Sequence, residues 1–377
     1  MKILFCTPAP LTKSLGAAKV VVELAEEMRE LGWDCDLVCP PDIAGPGDPT
    51  PQQSFATNLY PYLKANSGKY DVVDYDHEYL PFARAEFSPT TLFVARSVLL
   101  AQHLDQIAIP VGRNLRSRVG HFFKARARQQ ERCVRIDKAQ SIVEKADLVN
   151  VSNDHDKAEL IRRGLLKEKI VVLPYGISRA RRSLFDQVSS KTPPEPVVGF
   201  VGTFDYRKGA SEFPKIVALV AAAVPKVMFK LFGTKGMFQT EAEIRAHFPL
   251  RLQAHLQIMQ TYQPEDLPEL LSSCSLGIFP SYIEGMPFGV LEMLAASLPV
   301  IAYASPGAPM MLPDNLLVPI GSAEALARKV IALLKDEDNL TKARILAKER
   351  SQKFTWTVAA HQTDTVYRQA LKELRTN

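Results

Sequence analysis

Two carboxylates, Glu284 and Glu292, stand eight residues apart in Ser281-Tyr-Ile-Glu-Gly-Met-Pro-Phe-Gly-Val-Leu-Glu292, and their surroundings suit the binding of a phosphorylated, hydroxyl-bearing ligand. The apolar run 276–279 reads as a buried strand closed by Pro280, and the apolar residues Val290, Leu291, Leu294 and Ala295 recur at helical spacing until Pro299. Pro287 suits the first helical position, so the helix start is expected to leave the backbone N–H groups of Phe288, Gly289 and Val290 unpaired. Such an N-terminus attracts phosphate. Glu292, about one turn further in, offers two acceptor oxygens to the two hydroxyls of a ribose diol, while Glu284 stays in the loop beyond the phosphates, where a sugar would lie. Taken alone, the pair fits a loop acid and a solvated helix acid equally well, because most glutamates are exposed.

A second group of charges follows another apolar strand-like run, in Gly199-Phe-Val-Gly-Thr-Phe-Asp-Tyr-Arg-Lys-Gly209. Arg207 and Lys208 are cations held in a loop after a strand. When a phosphorylated leaving group departs, negative charge grows on its bridging oxygen, and cations fixed beside it stabilise that state. The competing reading is a solvated surface pair.

The elements that would position these residues alternate. Strand-like runs at 3–6, 35–39, 72–75, 92–95, 148–151 and 170–173 are interleaved with helical patterns at 17–31, 117–146 and 154–163. Pro, Gly and Asp mark 40–51 as a surface loop, and 189–196 as a linker. The alternation then resumes, with strands at 197–201, 227–232, 256–259, 276–279 and 300–303 and helices at 211–223, 240–248, 265–272 and 288–297, followed by 323–334, 340–353 and a last helix. This pattern predicts an α/β fold with two Rossmann-like, doubly wound domains. The expected divisions are 1–190, 191–355 and a C-terminal helix, 356–377, that crosses back to the first domain.

With their flanks, the Glu284 and Glu292 pair resembles the E-x7-E signature of glycosyltransferase family 4. The resemblance extends to Pro8-Ala-Pro-Leu-Thr-Lys-Ser-Leu-Gly16, where Leu15 replaces one of two adjacent glycines, and to the segment ending in Arg207-Lys208-Gly209, where Thr203 replaces a frequent Arg. Further matches are 144–152, 169–177 with Tyr175 in place of the usual Asn and Ser178 in place of Asp, 265–274, and Phe354-Thr-Trp356. The resemblance implies a GT-B fold, two Rossmann-like domains facing a central cleft, and retaining, metal-independent transfer from a nucleoside-diphosphate sugar to a glycan, lipid-linked or small-molecule acceptor. It implies Glu284, Arg207 and Lys208 as catalytic, Gly16, Thr203, Phe288, Gly289, Val290 and Glu292 as donor-binding, and no cofactor. Many relatives carry a His after the strand that here reads Leu92-Phe-Val-Ala-Arg-Ser-Val98; this chain has Arg96 there, so Arg96 and His77 are the acceptor-side candidates. The departures at Leu15, Thr203 and the missing His leave open a nucleotide-sugar-binding or scaffold subunit with impaired catalysis. A sugar-nucleotide epimerase or a phosphorylase of the same fold also stays open.

Other classes fit less well. A length of 377 residues, 46% hydrophobic and 23% charged, suits a two-domain globular chain. The expected location is the cytosol, since the apolar run after Met1-Lys2 is too short for a signal peptide and no eighteen apolar residues run together. Five cysteines without a paired CxxC spacing read as reduced thiols. Asp74-Tyr-Asp76 has the D-x-D spacing of a carboxylate metal site, but lies in a first-domain strand far from the donor motif, so no metal is expected. No G-x-G-x-x-G follows a strand, which argues against a dinucleotide dehydrogenase. The net charge of +5 is concentrated at 113–138, where nine Lys and Arg face Glu131 and Asp137, with Leu115, Val119, Phe122 and Phe123 at helical spacing. That segment fits either a helix with a solvated basic face or peripheral contact with anionic lipid at the inner membrane face. Aromatic residues do not interleave with the charges, so nucleic acid is not expected.

Overall fold

The computed structural model describes residues 1–12, 16–45, 51–80, 83–110, 115–188 and 191–376. They form two compact units, one of Met1–Gln106, Phe123–Gly176 and Thr355–Asn377, the other of Ile107–Phe122 and Ile177–Phe354.

In chain order the first unit's elements are β1 (Lys2–Cys6), α1 (Gly16–Glu30), β2 (Asp34–Val38), α2 (Pro51–Asn66), β3 (Val72–Asp76), β4 (Leu92–Arg96), α3 (Leu115–Lys145, which begins in the second unit's residues), β5 (Leu148–Val151), α4 (Asp154–Arg162) and β6 (Ile170–Val172). The six strands pair in parallel in the order β2-β1-β3-β4-β5-β6. Their near-continuous apolar character follows from burial on both faces. Val73, Tyr75, Phe93, Ala95, Val149 and Val151 line one core, into which α2 sends Phe55, Leu59 and Leu63 at four-residue spacing. That helix replaces part of what the sequence presents as loop and unpatterned chain: Pro61 within it and its polar residues mask a three-residue apolar stripe.

The second unit contains α5 (Arg179–Gln187), β7 (Val197–Val201), α6 (Phe213–Ala223), β8 (Met228–Phe232), α7 (Glu241–Arg245), β9 (Leu256–Met259), α8 (Leu267–Ser272), β10 (Leu276–Phe279), α9 (Phe288–Ala295), β11 (Val300–Tyr303), α10 (Ala308–Met311), β12 (Leu317–Val318), α11 (Ala323–Leu334) and α12 (Glu337–Ser351). Its sheet is also parallel, in the order β12-β11-β10-β7-β8-β9. Phe200 packs against Phe213 and Phe279, with ring centroids 5.0 and 6.1 Å apart, and each such ring contributes about 1.5–3 kcal/mol by leaving water. Because every strand pair in this sheet is parallel, the carboxyl ends of the strands lie on one edge, the edge where doubly wound sheets bind ligands.

The last helix, α13 (Trp356–Thr376), belongs to the first unit. It packs along α1, with Trp356 buried and its Nε1 donating to Glu23, and Thr357 Oγ1 donating to Glu27 at 2.9 Å. Further along, Tyr367 donates to Asp74 at 2.5 Å and receives a hydrogen bond from Asn150 at 3.2 Å. Tyr175 is core: its ring stacks on Trp356 at 5.7 Å and its hydroxyl donates to the Ser97 carbonyl at 3.2 Å. Among the described residues no helix is long and apolar enough to cross a membrane.

Candidate functional site

The second unit gathers the predicted charges at the carboxyl edge of β7 and β10. After β7 the chain must turn sharply before α6. Asp205 makes that turn, accepting from Lys208 N at 2.9 Å and from the Thr203 hydroxyl at 2.7 Å. Gly209 closes it with φ +88, and a Cβ there would lie 2.3 Å from the Pro280 carbonyl oxygen, so the two loops meet backbone to backbone. The Tyr282 amide donates to the Arg207 carbonyl at 2.8 Å and fixes that contact.

Three donors converge on Glu284 Oε1: Arg207 Nη1 at 2.8 Å, Lys208 Nζ at 2.8 Å and Ser281 Oγ at 2.6 Å. Arg207 also donates to the Ile283 carbonyl at 2.9 Å, and the Lys208 ammonium sits 4.8 Å from the centre of the Phe279 ring. Glu284 is only 6% exposed. Burial pushes its carboxyl upward, but the charges of Lys208 and Arg207 and the Ser281 hydrogen bond outweigh that, leaving it ionised below the ordinary glutamate range. Two cations and one anion leave the cluster with a net positive charge, as an anionic ligand requires.

Beside it, α9 starts hard against β7. A Cβ on Gly289 would lie 2.4 Å from the Val201 carbonyl oxygen, so only glycine allows the helix start to approach the strand end so closely. Pro287 is the cap and not the first helical residue. Its carbonyl accepts from Val290 N at 3.0 Å and Leu291 N at 3.2 Å, so the Val290 N–H, expected to be unpaired, is engaged in the first turn. Glu292 stands on a helix whose last six residues are all buried, and is itself 6% exposed. Its Oε1 accepts from Arg181 Nη2 of α5 at 2.8 Å. Sequence reasoning missed both α5 and Arg181, because Arg-Ala-Arg-Arg-Ser-Leu-Phe-Asp-Gln offers few apolar residues to mark a helix face.

The remaining candidates lie in the first unit. Gly16 opens α1, and its neighbours 13–15, Leu15 among them, are outside the described residues. His77 follows β3; it is buried, its Nε2 accepts from Ala101 N at 3.4 Å, and its Nδ1 lies 3.6 Å from Asp76. Burial opposes protonation of this ring, but Asp76 and Glu78 outweigh it and hold the pKa above the usual histidine value. Backbone pairing brings it beside Arg96, whose carbonyl accepts from His77 N at 3.0 Å. The Arg96 guanidinium, however, is buried and bidentate on Asp74, at 2.9 and 2.6 Å. The first carboxylate of the D-x-D spacing is thus held by Arg96 and Tyr367, while Asp76 accepts from Glu78 N at 2.9 Å. Within the basic segment the side chains of 113–128 lie outside the described residues; further on, Arg135 pairs with Glu78 and Lys138 lies over the Tyr79 ring at 5.8 Å.

The D-inositol 3-phosphate glycosyltransferase of Corynebacterium aurimucosum is 24% identical over 253 residues, a stretch of 62% of this chain and 59% of that protein. The chain therefore spans about three fifths of that relative's length. Among solved structures, the sucrose-phosphate synthase of Thermosynechococcus elongatus superposes with a TM-score of 0.71 at 21% identity, covering 99% of both chains. HepE of Anabaena, solved in complex with UDP and glucose, superposes with a TM-score of 0.66 at 15% identity, covering 97% of this chain and 99% of that one. These likenesses, with the two parallel six-stranded sheets, establish the GT-B fold. The family model described as "Glycosyl transferases group 1" matches residues 182–355, the stretch that carries Arg207, Lys208, Glu284 and Glu292.

Proposed function

We propose that the protein is a retaining, metal-independent glycosyltransferase that moves a sugar from a nucleoside-diphosphate sugar to a hydroxyl of a glycan, lipid-linked or small-molecule acceptor. The observation that carries this reading is the cluster of Arg207, Lys208 and Glu284 at the strand edge, next to the start of α9. The donor diphosphate takes the two cations and the N-terminus of α9, displacing the Glu284 carboxylate, which then meets the hydroxyls of the transferred sugar. As the bond from the sugar's anomeric carbon to the diphosphate oxygen breaks, its electron pair stays on that oxygen. Arg207 and Lys208 hold the resulting charge, each with an effect of about 10²–10³ in rate. The acceptor hydroxyl attacks the same face and passes its proton to the departing phosphate oxygen, so no protein base is required. Glu292 accepts hydrogen bonds from the donor ribose. Gly16, Thr203, Phe288, Gly289 and Val290 belong to the same donor reading through the resemblance, with the Thr203 hydroxyl acting indirectly, on Asp205.

Acceptor recognition is assigned to the carboxyl ends of the first unit's strands, where His77 stands. Arg96, held on Asp74 through Nε and Nη2, serves there as a positioning residue. The 113–138 segment is the candidate for peripheral contact with an anionic membrane, on its charge alone.

The test is product analysis with an α-linked nucleotide sugar and a panel of hydroxylated acceptors, read by NMR. A new glycoside with retained anomeric configuration supports the reading. An inverted product, or conversion of the donor to an epimer without any acceptor, overturns it.

A further inference from the structure

The partner of Glu292 was not foreseen from the sequence, and its chemistry is more specific than a structural ion pair requires. Arg181 stands one residue ahead of the span matched by the family model. It is 86% buried, since its side chain is 14% exposed, and holds Glu292 Oε1 at 2.8 Å through Nη2. Its Nε–H is also buried, yet has no partner among the described residues. An unpaired buried guanidinium N–H is costly, and the atom that satisfies it must be an acceptor. Tyr262, on the loop after β9, feels the charges of both Glu292 and Arg181, and its ring lies 3.0 Å from where a Cβ on Gly233, just beyond β8, would stand. Arg181 and Glu292 therefore meet between α5 and α9, with Tyr262 within electrostatic reach of both.

We propose that Arg181 is a specificity-determining residue that reads the donor ribose together with Glu292. The assignment rests on the donor reading given above. A ribose hydroxyl is both donor and acceptor: it gives its hydrogen to the Glu292 carboxylate and takes one from Arg181 Nε–H. Nη2 of the same guanidinium holds Glu292 fixed in orientation. Neither residue alone offers both halves, and a deoxy sugar at the contacted position would leave the carboxylate and the N–H unmatched at once. Sites that hydrogen-bond a hydroxyl discriminate strongly against ligands lacking it for this reason.

The experiment is calorimetric titration with UDP, ADP and GDP and with the 2′-deoxy and 3′-deoxy forms of whichever binds, for wild type, Arg181→Met and Arg181→Lys. Wild type is expected to prefer the ribonucleotide over at least one deoxy form by about ten- to a hundredfold, the value of one or two hydrogen bonds to charged groups. Arg181→Met should lose most of that ratio, through weaker ribonucleotide binding with little change for the deoxy form. Arg181→Lys, which keeps a cation for Glu292 but no Nε–H, should recover folding stability without recovering the ratio. An Arg181→Met/Glu292→Gln double variant, with no charge left unpaired, serves if the single variant does not fold, and should likewise fail to discriminate. Full discrimination in Arg181→Met overturns the assignment while leaving the donor reading intact; full discrimination in the double variant overturns both the assignment and the ribose role of Glu292. Failure of wild type to bind any nucleoside diphosphate overturns both.

Discussion

Lys208 Nζ lies 2.8 Å from Glu284 Oε1, on the oxygen that Arg207 Nη1 also reaches at 2.8 Å. The Glu284 carboxylate, from the neighbouring loop, thus lies between two cations and neutralises part of their charge. Replacing Lys208 with Ala should reduce kcat by about 10²–10³, with a change in donor affinity of less than about tenfold, because the developing charge is greater in the transition state than in the bound donor. Steady-state kinetics together with calorimetry would check the split; equal losses in both would place Lys208 in ground-state binding only.

Glu292→Ala should act on binding. On the proposed reading it removes the acceptor for ribose hydroxyls, and donor affinity should fall about ten- to a hundredfold, the value of one or two hydrogen bonds to a charged group. Titration with the preferred nucleoside diphosphate reads this directly. Unchanged affinity would remove Glu292 from the donor site.

The Glu284 cluster predicts a pH dependence of stability. Burial raises the carboxyl's pKa, but Lys208 and Arg207 overcome this, so the folded value lies below the unfolded value of 4.5. The sign follows: the stabilisation is fully present above about pH 4.5 and is lost as pH falls through the lower folded value. Urea unfolding of wild type and Glu284→Gln should therefore differ by a constant amount from neutral pH to about pH 5. The two curves should converge at lower pH, and a gap that persists well below the folded value would contradict the account.

In the first unit, Asp74 is buried between Arg96 and Tyr367. Arg96→Met leaves that carboxylate without its cation and should cost about 3–5 kcal/mol. Tyr367→Phe, which removes the hydrogen bond to Asp74 and the one from Asn150, should cost about 1–3 kcal/mol. Denaturant midpoints measure both, and the ordering matters more than the values. A larger loss for Tyr367→Phe would mean that α13, not the ion pair, governs the stability of this sheet edge.

Much of this was legible in the chain because the signals were local. Period-two and continuous apolar runs such as Val197-Val-Gly-Phe-Val201 mark buried parallel strands, and the E-x7-E spacing placed Glu284 before a helix and Glu292 within it. What escaped depended on partners distant in sequence. Arg181 meets Glu292 across 111 residues, and Arg96 gains its role from Asp74 and Tyr367, not from any motif. Helix α2 escaped for a different reason: Pro61 reads as a breaker, yet the packing of Phe55, Leu59 and Leu63 carries the helix past it. The Val290 N–H was misjudged because Pro287 caps the helix instead of opening it, so its carbonyl is the first acceptor.

The most direct measurement is calorimetric titration of the purified protein with UDP-, ADP- and GDP-linked sugars, with and without EDTA, on wild type and on Glu292→Ala. The account predicts saturable binding of one nucleotide sugar, unchanged by EDTA and weakened at least about tenfold by the substitution. Binding that disappears with EDTA would contradict the metal-independent role given to Arg207 and Lys208, and no binding by any donor would contradict the assignment of this site.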